Sequence, residues 1–155
     1  LAWLLADTVQ RHDIPRANVV GHSDVAPQRK EDPGELFDWD LLAAHRLALR
    51  RPRVTMPSPF ENDGAFFLAL ERWGYDISDP AAACRAFQRR WRPHIIDGVV
   101  DGECSAILFS MDFRNASSGI FISAGSGAAF FTLARFILSM NLPALFTMSA
   151  KSVAI

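Results

Sequence analysis

The sequence predicts an α/β segment followed by a small three-helix unit, a chain mostly helical overall. Residues 1–50 read as helix, short strand, long loop and helix. A stretch with three prolines and no apolar period, RPRVTMPSPF, then interrupts the pattern. Beyond it, three apolar stripes of helical period lie between residues 62 and 112, each opened by a capping residue.

Each element has a local reason. Leu1, Leu4, Leu5 and Val9 follow helical spacing, so residues 1–11 are expected to form a helix with that stripe inward. The HDIP run ends it, because the residue before a proline disfavours helical backbone. Residues 17–22, Ala-Asn-Val-Val-Gly-His, read as a short buried strand, β-branched at the centre. A lone strand makes no sheet, so most of the α/β domain is expected to lie elsewhere. Residues 23–37 read as a long polar loop broken by Pro27, Pro33 and Gly34. Asp38 can cap a following helix whose apolar face carries Leu41, Leu42, His45 and Leu49.

Residues 51–61 form the expected linker, stiffened by proline. The first helix after it opens at Asn62 or Asp63, aligns Phe66, Leu70 and Trp73, and stops at Gly74. Asp79-Pro80 caps the second, with Cys84, Phe87 and Trp91 inward. Asp101 caps the third, with Cys104, Ile107, Leu108 and Met111 at i, i+3, i+4 and i+7. Between the last two, residues 93–102 hold two Asp-Gly pairs and must turn tightly. Residues 62–112 thus form a domain of about fifty residues, marginal alone. Trp73, Phe87 and Trp91 are read as its core.

Half of the 155 residues are hydrophobic and 21% are charged, which excludes a disordered tail. Sixteen basic residues against seventeen acidic ones give a net charge of −1, so no global field favours DNA, RNA or anionic lipid. Two cysteines make neither a disulfide-dense scaffold nor a four-cysteine zinc site; Cys84 and Cys104 either pair or stay as buried thiols. Residues 113–155 hold Arg114, Arg135 and Lys151 and no acid. Three readings of this apolar tail stand open: a membrane helix over about residues 120–142 with Arg135 off-centre, an extension foreign to the domain before it, or an ordinary packed helix.

The chemistry concentrates in residues 19–39, VVGHSDVAPQRKEDPGELFDW. A histidine at a strand end has its backbone held by the sheet, which suits a metal ligand. Asp32 precedes Pro33 and is expected to be extended, so Lys30 and Asp32 face one side and Glu31 the other. An imidazole, a carboxylate and an ammonium are two ligands and a cation for a developing oxyanion. Equally, His22 can be an ordinary edge histidine and Lys30–Asp32 a solvated pair worth under about 1 kcal/mol. The residues by themselves leave both open.

The same string resembles the zinc-binding segment of type-2 N-acetylmuramoyl-L-alanine amidases, relatives of the peptidoglycan-recognition proteins. The resemblance implies that His22 and Asp32 are zinc ligands, that Lys30 is catalytic, and that the α/β part is the C-terminal portion of an amidase mixed-sheet domain. It also implies a third ligand, a histidine on an early strand, and a catalytic glutamate, both upstream of Leu1. The chain therefore reads as a C-terminal fragment, inactive by itself. His12, His45, His94 and Glu31 are not expected to substitute. Trp73-Gly74-Tyr75-Asp76, the Ala86-Phe87-Gln88 run with Trp91-Arg92-Pro93, and the Asp97-Gly98 and Asp101 turn resemble the peptidoglycan-binding domain fused to some of these amidases. The function so implied is zinc-dependent hydrolysis of the amide between N-acetylmuramic acid and L-alanine. Peptidoglycan or muropeptides would be partners, in the periplasm or at the outer membrane. The alternative is a peptidoglycan-binding protein without catalysis.

Overall fold

In a computed structural model of the chain, residues 1–117 and 153–155 are described. The order is α1 (Ala2–His12), a 3-10 turn (Arg16–Asn18), β1 (Val19–Val20), α2 (His22–Val25), α3 (Trp39–Ala44), α4 (Asp63–Arg72), α5 (Pro80–Trp91), α6 (Gly102–Ser117) and β2 (Val153–Ala154).

Helix α1 forms where expected but turns a different stripe inward. Leu5 is buried, with Ala2, Ala6 and Val9 packed against the same cluster, whereas Leu1 and Leu4 are exposed. Asp13 takes a left-handed conformation (φ 51°) that ends the helix, and the Ile14 N–H donates to Val9 O at 3.0 Å. The strand is shorter than the sequence suggests. Its first residues coil into the 3-10 turn, and only Val19 and Val20 pair. Their partner was not anticipated: β2, parallel, with Val19 opposite Val153 and Val20 opposite Ala154.

Two further corrections concern helices. Residues 23–37 are not all loop, because α2 starts at His22. Gly21 is its N-cap, and Asp24 returns its carboxylate to the Gly21 N–H at 2.8 Å, half of a capping box. Helix α3 is capped by Asp38, whose Oδ1 accepts from the Leu41 N–H at 2.8 Å, but it stops at Ala44. Arg46 goes left-handed (φ 61°), Arg46 N–H donates to Ala43 O and Leu47 N–H to Leu42 O. That Schellman ending turns the chain before Leu49 can join the face with Leu41, Leu42 and His45; Leu41 and His45 are exposed.

Helices α4, α5 and α6 form at the positions the caps indicate. Asn62, Asp79 and Asp101 each accept a backbone N–H three residues on. Gly74, at φ 91°, ends α4 in a conformation that a Cβ would strain. Phe66, Leu70, Phe87, Trp91, Cys104, Ile107, Leu108 and Met111 share one buried cluster. Phe66 and Phe87 meet edge to face with centroids 5.5 Å apart. The Asp-Gly loop before α6 is pinned by buried Gln88, whose Nε2 donates to Asp97 Oδ1 and Val99 O while its Oε1 accepts the Gly98 N–H. Helix α6 continues past Met111 to Ser117, so the boundary expected at residue 113 falls inside it. The candidate membrane segment at 120–142 lies outside the described residues. Among those described, no helix is long and apolar enough to cross a membrane.

A second cluster, with Leu5, Ile14, Val19, Leu42, Leu47 and Ala48, gathers α1, β1 and α3. Polar contacts join the two parts. Arg89 Nη2 lies 2.8 Å from Glu31 Oε1, and Gln28 Nε2 donates to Ser78 Oγ at 3.0 Å. Arg90 on α5 reaches across to Asp24 on α2 at 2.6 Å.

Candidate metal centre

His22 is the first residue of α2 rather than the last of a strand, yet its backbone is held at both sides. Its N–H donates to Ile155 O at 3.0 Å, and its carbonyl accepts the Ala26 N–H at 2.9 Å. Asp32 is brought to it by the returning loop. The Ser23 N–H donates to the Asp32 carbonyl at 3.0 Å, which seats the Asp32 backbone beside α2. Pro33 follows through a cis peptide and lies against Gly21. A Cβ on Gly21 would sit 2.9 Å from Pro33 Cδ, closer than such atoms ever come. Gly21 is therefore the residue that lets the Asp32-Pro33 turn close over the α2 start.

The result is His22 Nδ1 at 2.5 Å from Asp32 Oδ2, with both side chains about half exposed. Partial desolvation pushes the Asp32 carboxyl up; the His22 hydrogen bond and the positive charges of His22 and Lys30 outweigh it, and the group stays below the usual carboxylate range. Lys30 follows a turn in which its N–H donates to Ala26 O, and it is exposed. Glu31 turns to Arg89 and not to His22.

One nitrogen and one oxygen donor, side by side and open to solvent, match the donor chemistry zinc prefers. Bonds of about 2 Å at tetrahedral angles place two ligands about 3.3 Å apart, so this pair has to separate by less than about 1 Å to share an ion. Among the described residues no group of three or more His, Cys, Asp and Glu side chains is placed to hold a metal. A catalytic zinc needs three protein ligands, of which this pair could be two. Another pair, His94 Nε2 and Glu103 Oε2 at 3.1 Å, has the same chemistry but joins a loop residue to α6. Its Glu103 is shared with Arg51, whose Nη2 lies 3.8 Å from Oε1, so this pair serves as the comparison for His22 and Asp32.

Sequence reasoning missed the residues behind the site. Asp24 accepts from the Gly21 N–H, from Tyr75 Oη at 2.6 Å and from Arg90, all buried. Burial, then the Asp24 charge, pushes the Tyr75 hydroxyl well above its ordinary range, so it stays a donor. The Arg90 guanidinium lies 4.0 Å from the centre of the Trp39 ring and 4.7 Å from that of Trp91. A signal existed: Gly-x-x-Asp is a helix start, and Arg90 falls three residues after Phe87, where a core stripe calls for an apolar residue.

In sequence and fold the chain is similar to N-acetylmuramoyl-L-alanine amidases. Residues 1–35 match the N-acetylmuramoyl-L-alanine amidase family model. The chain is a relative of the AmiD-like type-2 amidases. It is 35% identical over 123 residues to the N-acetylmuramoyl-L-alanine amidase AmiD of Escherichia coli, an alignment covering 67% of this chain and 43% of that protein. To the 1,6-anhydro-N-acetylmuramyl-L-alanine amidase AmpD of Enterobacter cloacae it is 68% identical over 36 residues, 23% of this chain and 19% of that one. The structure of Escherichia coli AmiD, solved with the substrate anhydro-N-acetylmuramic acid-L-Ala-D-gamma-Glu-L-Lys, superposes with a TM-score of 0.65 at 30% identity, over 73% of this chain and 49% of that one. AmpDh3 from Pseudomonas aeruginosa gives 0.62 at 30% identity, covering 73% and 50%. The chain thus spans about half the length of these structures.

Proposed function

We propose that this chain is part of a zinc-dependent N-acetylmuramoyl-L-alanine amidase that hydrolyses the amide between N-acetylmuramic acid and L-alanine in peptidoglycan or muropeptides. The observation that carries the reading is His22 Nδ1 and Asp32 Oδ2 at 2.5 Å across ten residues, in a chain similar to amidases solved with such ligands. His22 and Asp32 would hold the metal, and a third donor would complete the set. Zinc, when bound, supplies a Lewis acid for the scissile carbonyl. The chain's own residues do the rest of what is assigned here. Lys30, whose charge is felt at Asp32, presents an ammonium to the oxygen on which negative charge develops. The helical unit of residues 62–112 is assigned to retaining the polymeric substrate, which raises its local concentration. An enzyme of cell-wall chemistry belongs in the periplasm or at the outer membrane.

The test is competitive zinc titration of the purified chain against a chromogenic chelator. His22→Ala and Asp32→Ala should each weaken binding by about tenfold or more, and His94→Ala should not. Equal binding by all four proteins contradicts the metal assignment. Binding of muropeptide by the unmutated chain without any dependence on zinc, His22 or Asp32 would instead favour a peptidoglycan-binding protein without catalysis.

A further inference from the structure

Arg90 touches both ends of the segment that carries His22. Its Nη1 lies 2.6 Å from Asp24 Oδ2, and its Nη2 donates to the Val19 carbonyl at 2.9 Å. Val19 is in β1 and Asp24 in α2, and the residues between them are Val20, Gly21, His22 and Ser23. Tyr75, just beyond α4, donates to the second Asp24 oxygen, and Trp91 Nε1 donates to the Tyr75 hydroxyl at 3.3 Å. Only 5% of each side chain in the Asp24–Arg90 pair reaches solvent. A buried ion pair of this kind gives little net stability against an apolar replacement, and its best-attested use is to specify one arrangement. The arrangement here is the β1–α2 corner, which the two-residue strand, the backbone bonds of His22 and Ser23 and the Gly21–Pro33 contact also hold.

We propose that Arg90 and Tyr75 are positioning residues for the candidate metal centre: the helical unit clamps Asp24 and Val19, and so fixes the direction in which His22 meets Asp32. The inference rests on the zinc reading above. It gives residues 62–112 a task besides substrate retention. Removing the clamp frees Asp24 to leave the Gly21 N–H, and α2 loses its cap together with the orientation of its first residue.

The test is zinc affinity of the full chain by chelator competition, with thermal unfolding followed in parallel. Arg90→Lys keeps the charge but cannot span Asp24 and Val19 together; it should weaken zinc binding by about tenfold. Tyr75→Phe should weaken it in the same direction by less. Leu108→Ala, in the helical core, lowers the unfolding temperature and should leave zinc affinity unchanged. Arg90→Lys should have no further effect in a His22→Ala background. Wild-type affinity in both Arg90→Lys and Tyr75→Phe overturns the inference, as does an equal loss in Leu108→Ala. Should Arg90→Lys fail to fold, Tyr75→Phe decides alone. Wild-type binding no tighter than that of His22→Ala overturns the zinc reading itself, and this inference with it.

Discussion

Gly21 and Pro33 are in contact so close that no side chain fits between them: a Cβ on Gly21 would stand 2.9 Å from Pro33 Cδ. The backbone of Gly21 is ordinary extended chain (φ −82°, ψ 158°), so the glycine is there for space and not for a special conformation. Gly21→Ala must push Pro33 outward and carry Asp32 away from His22. The expected outcome is zinc affinity reduced by about tenfold or more with the helical content retained, read by chelator competition and circular dichroism.

The backbone position of Asp32 beside His22 is held by Ser23 and Gly21, and Lys30 adds only its charge at Asp32. In an amidase containing this segment, Lys30→Ala should therefore leave zinc content at the wild-type level. Turnover should fall by about 10²–10³, corresponding to about 2.7–4 kcal/mol for one oxyanion partner. Zinc content by atomic absorption and release of stem peptide from muropeptide check the two halves separately. Unchanged turnover removes Lys30 from the mechanism.

Asp112 makes stability depend on pH. Burial pushes its carboxyl up to about 6, against which the hydrogen bond from Trp73 Nε1 and the Arg72 charge pull only weakly. The folded chain therefore holds this proton more tightly than the unfolded one, whose carboxyl titrates near 3.8. The stabilisation is complete below the unfolded value and is lost as pH rises through about 6, by at most about 3 kcal/mol. Asp112→Asn keeps an acceptor for Trp73 and removes the titration. Denaturant melts at about pH 4 and about pH 7 should show wild type losing stability relative to the variant on going up.

Gln88 uses both its amide nitrogen and its amide oxygen on the loop before α6, and its side chain is fully buried. Gln88→Ala leaves the Gly98 N–H and the Val99 carbonyl without their partner. A loss of about 2–3 kcal/mol is expected in urea unfolding, with α4, α5 and α6 still formed before the transition.

The helical half was legible because each of its signals is local. Asn62, Asp79 and Asp101 announce their helices within three residues, Gly74 ends one, and the stripes of Phe66, Phe87 and Ile107 state which faces meet. The approach of Asp32 to His22 was not legible in the spacing: Asp32 and Pro33 sit in a turn closed by the Gly34 N–H on Glu31 O, and the Asp32 backbone is seated by Ser23 and Gly21, contacts no spacing reveals. The first half was harder. Helix α2 is four residues long and rests on one side-chain cap, too short for any period to show. Helix α3 ends on Arg46 in a left-handed turn, where glycine or asparagine would have been the readable sign. The β1–β2 pair joins residues more than a hundred positions apart, and Arg90 finds Asp24 across 66. Contacts of that range are set by tertiary packing, which local propensity does not encode.

The most direct measurement is an anomalous difference map from crystals of this chain soaked in zinc. The account predicts a peak bonded to His22 Nδ1 and Asp32 Oδ2, at about 2 Å from each. A peak at His94 and Glu103 with His22 still hydrogen-bonded to an undisturbed Asp32 would contradict it.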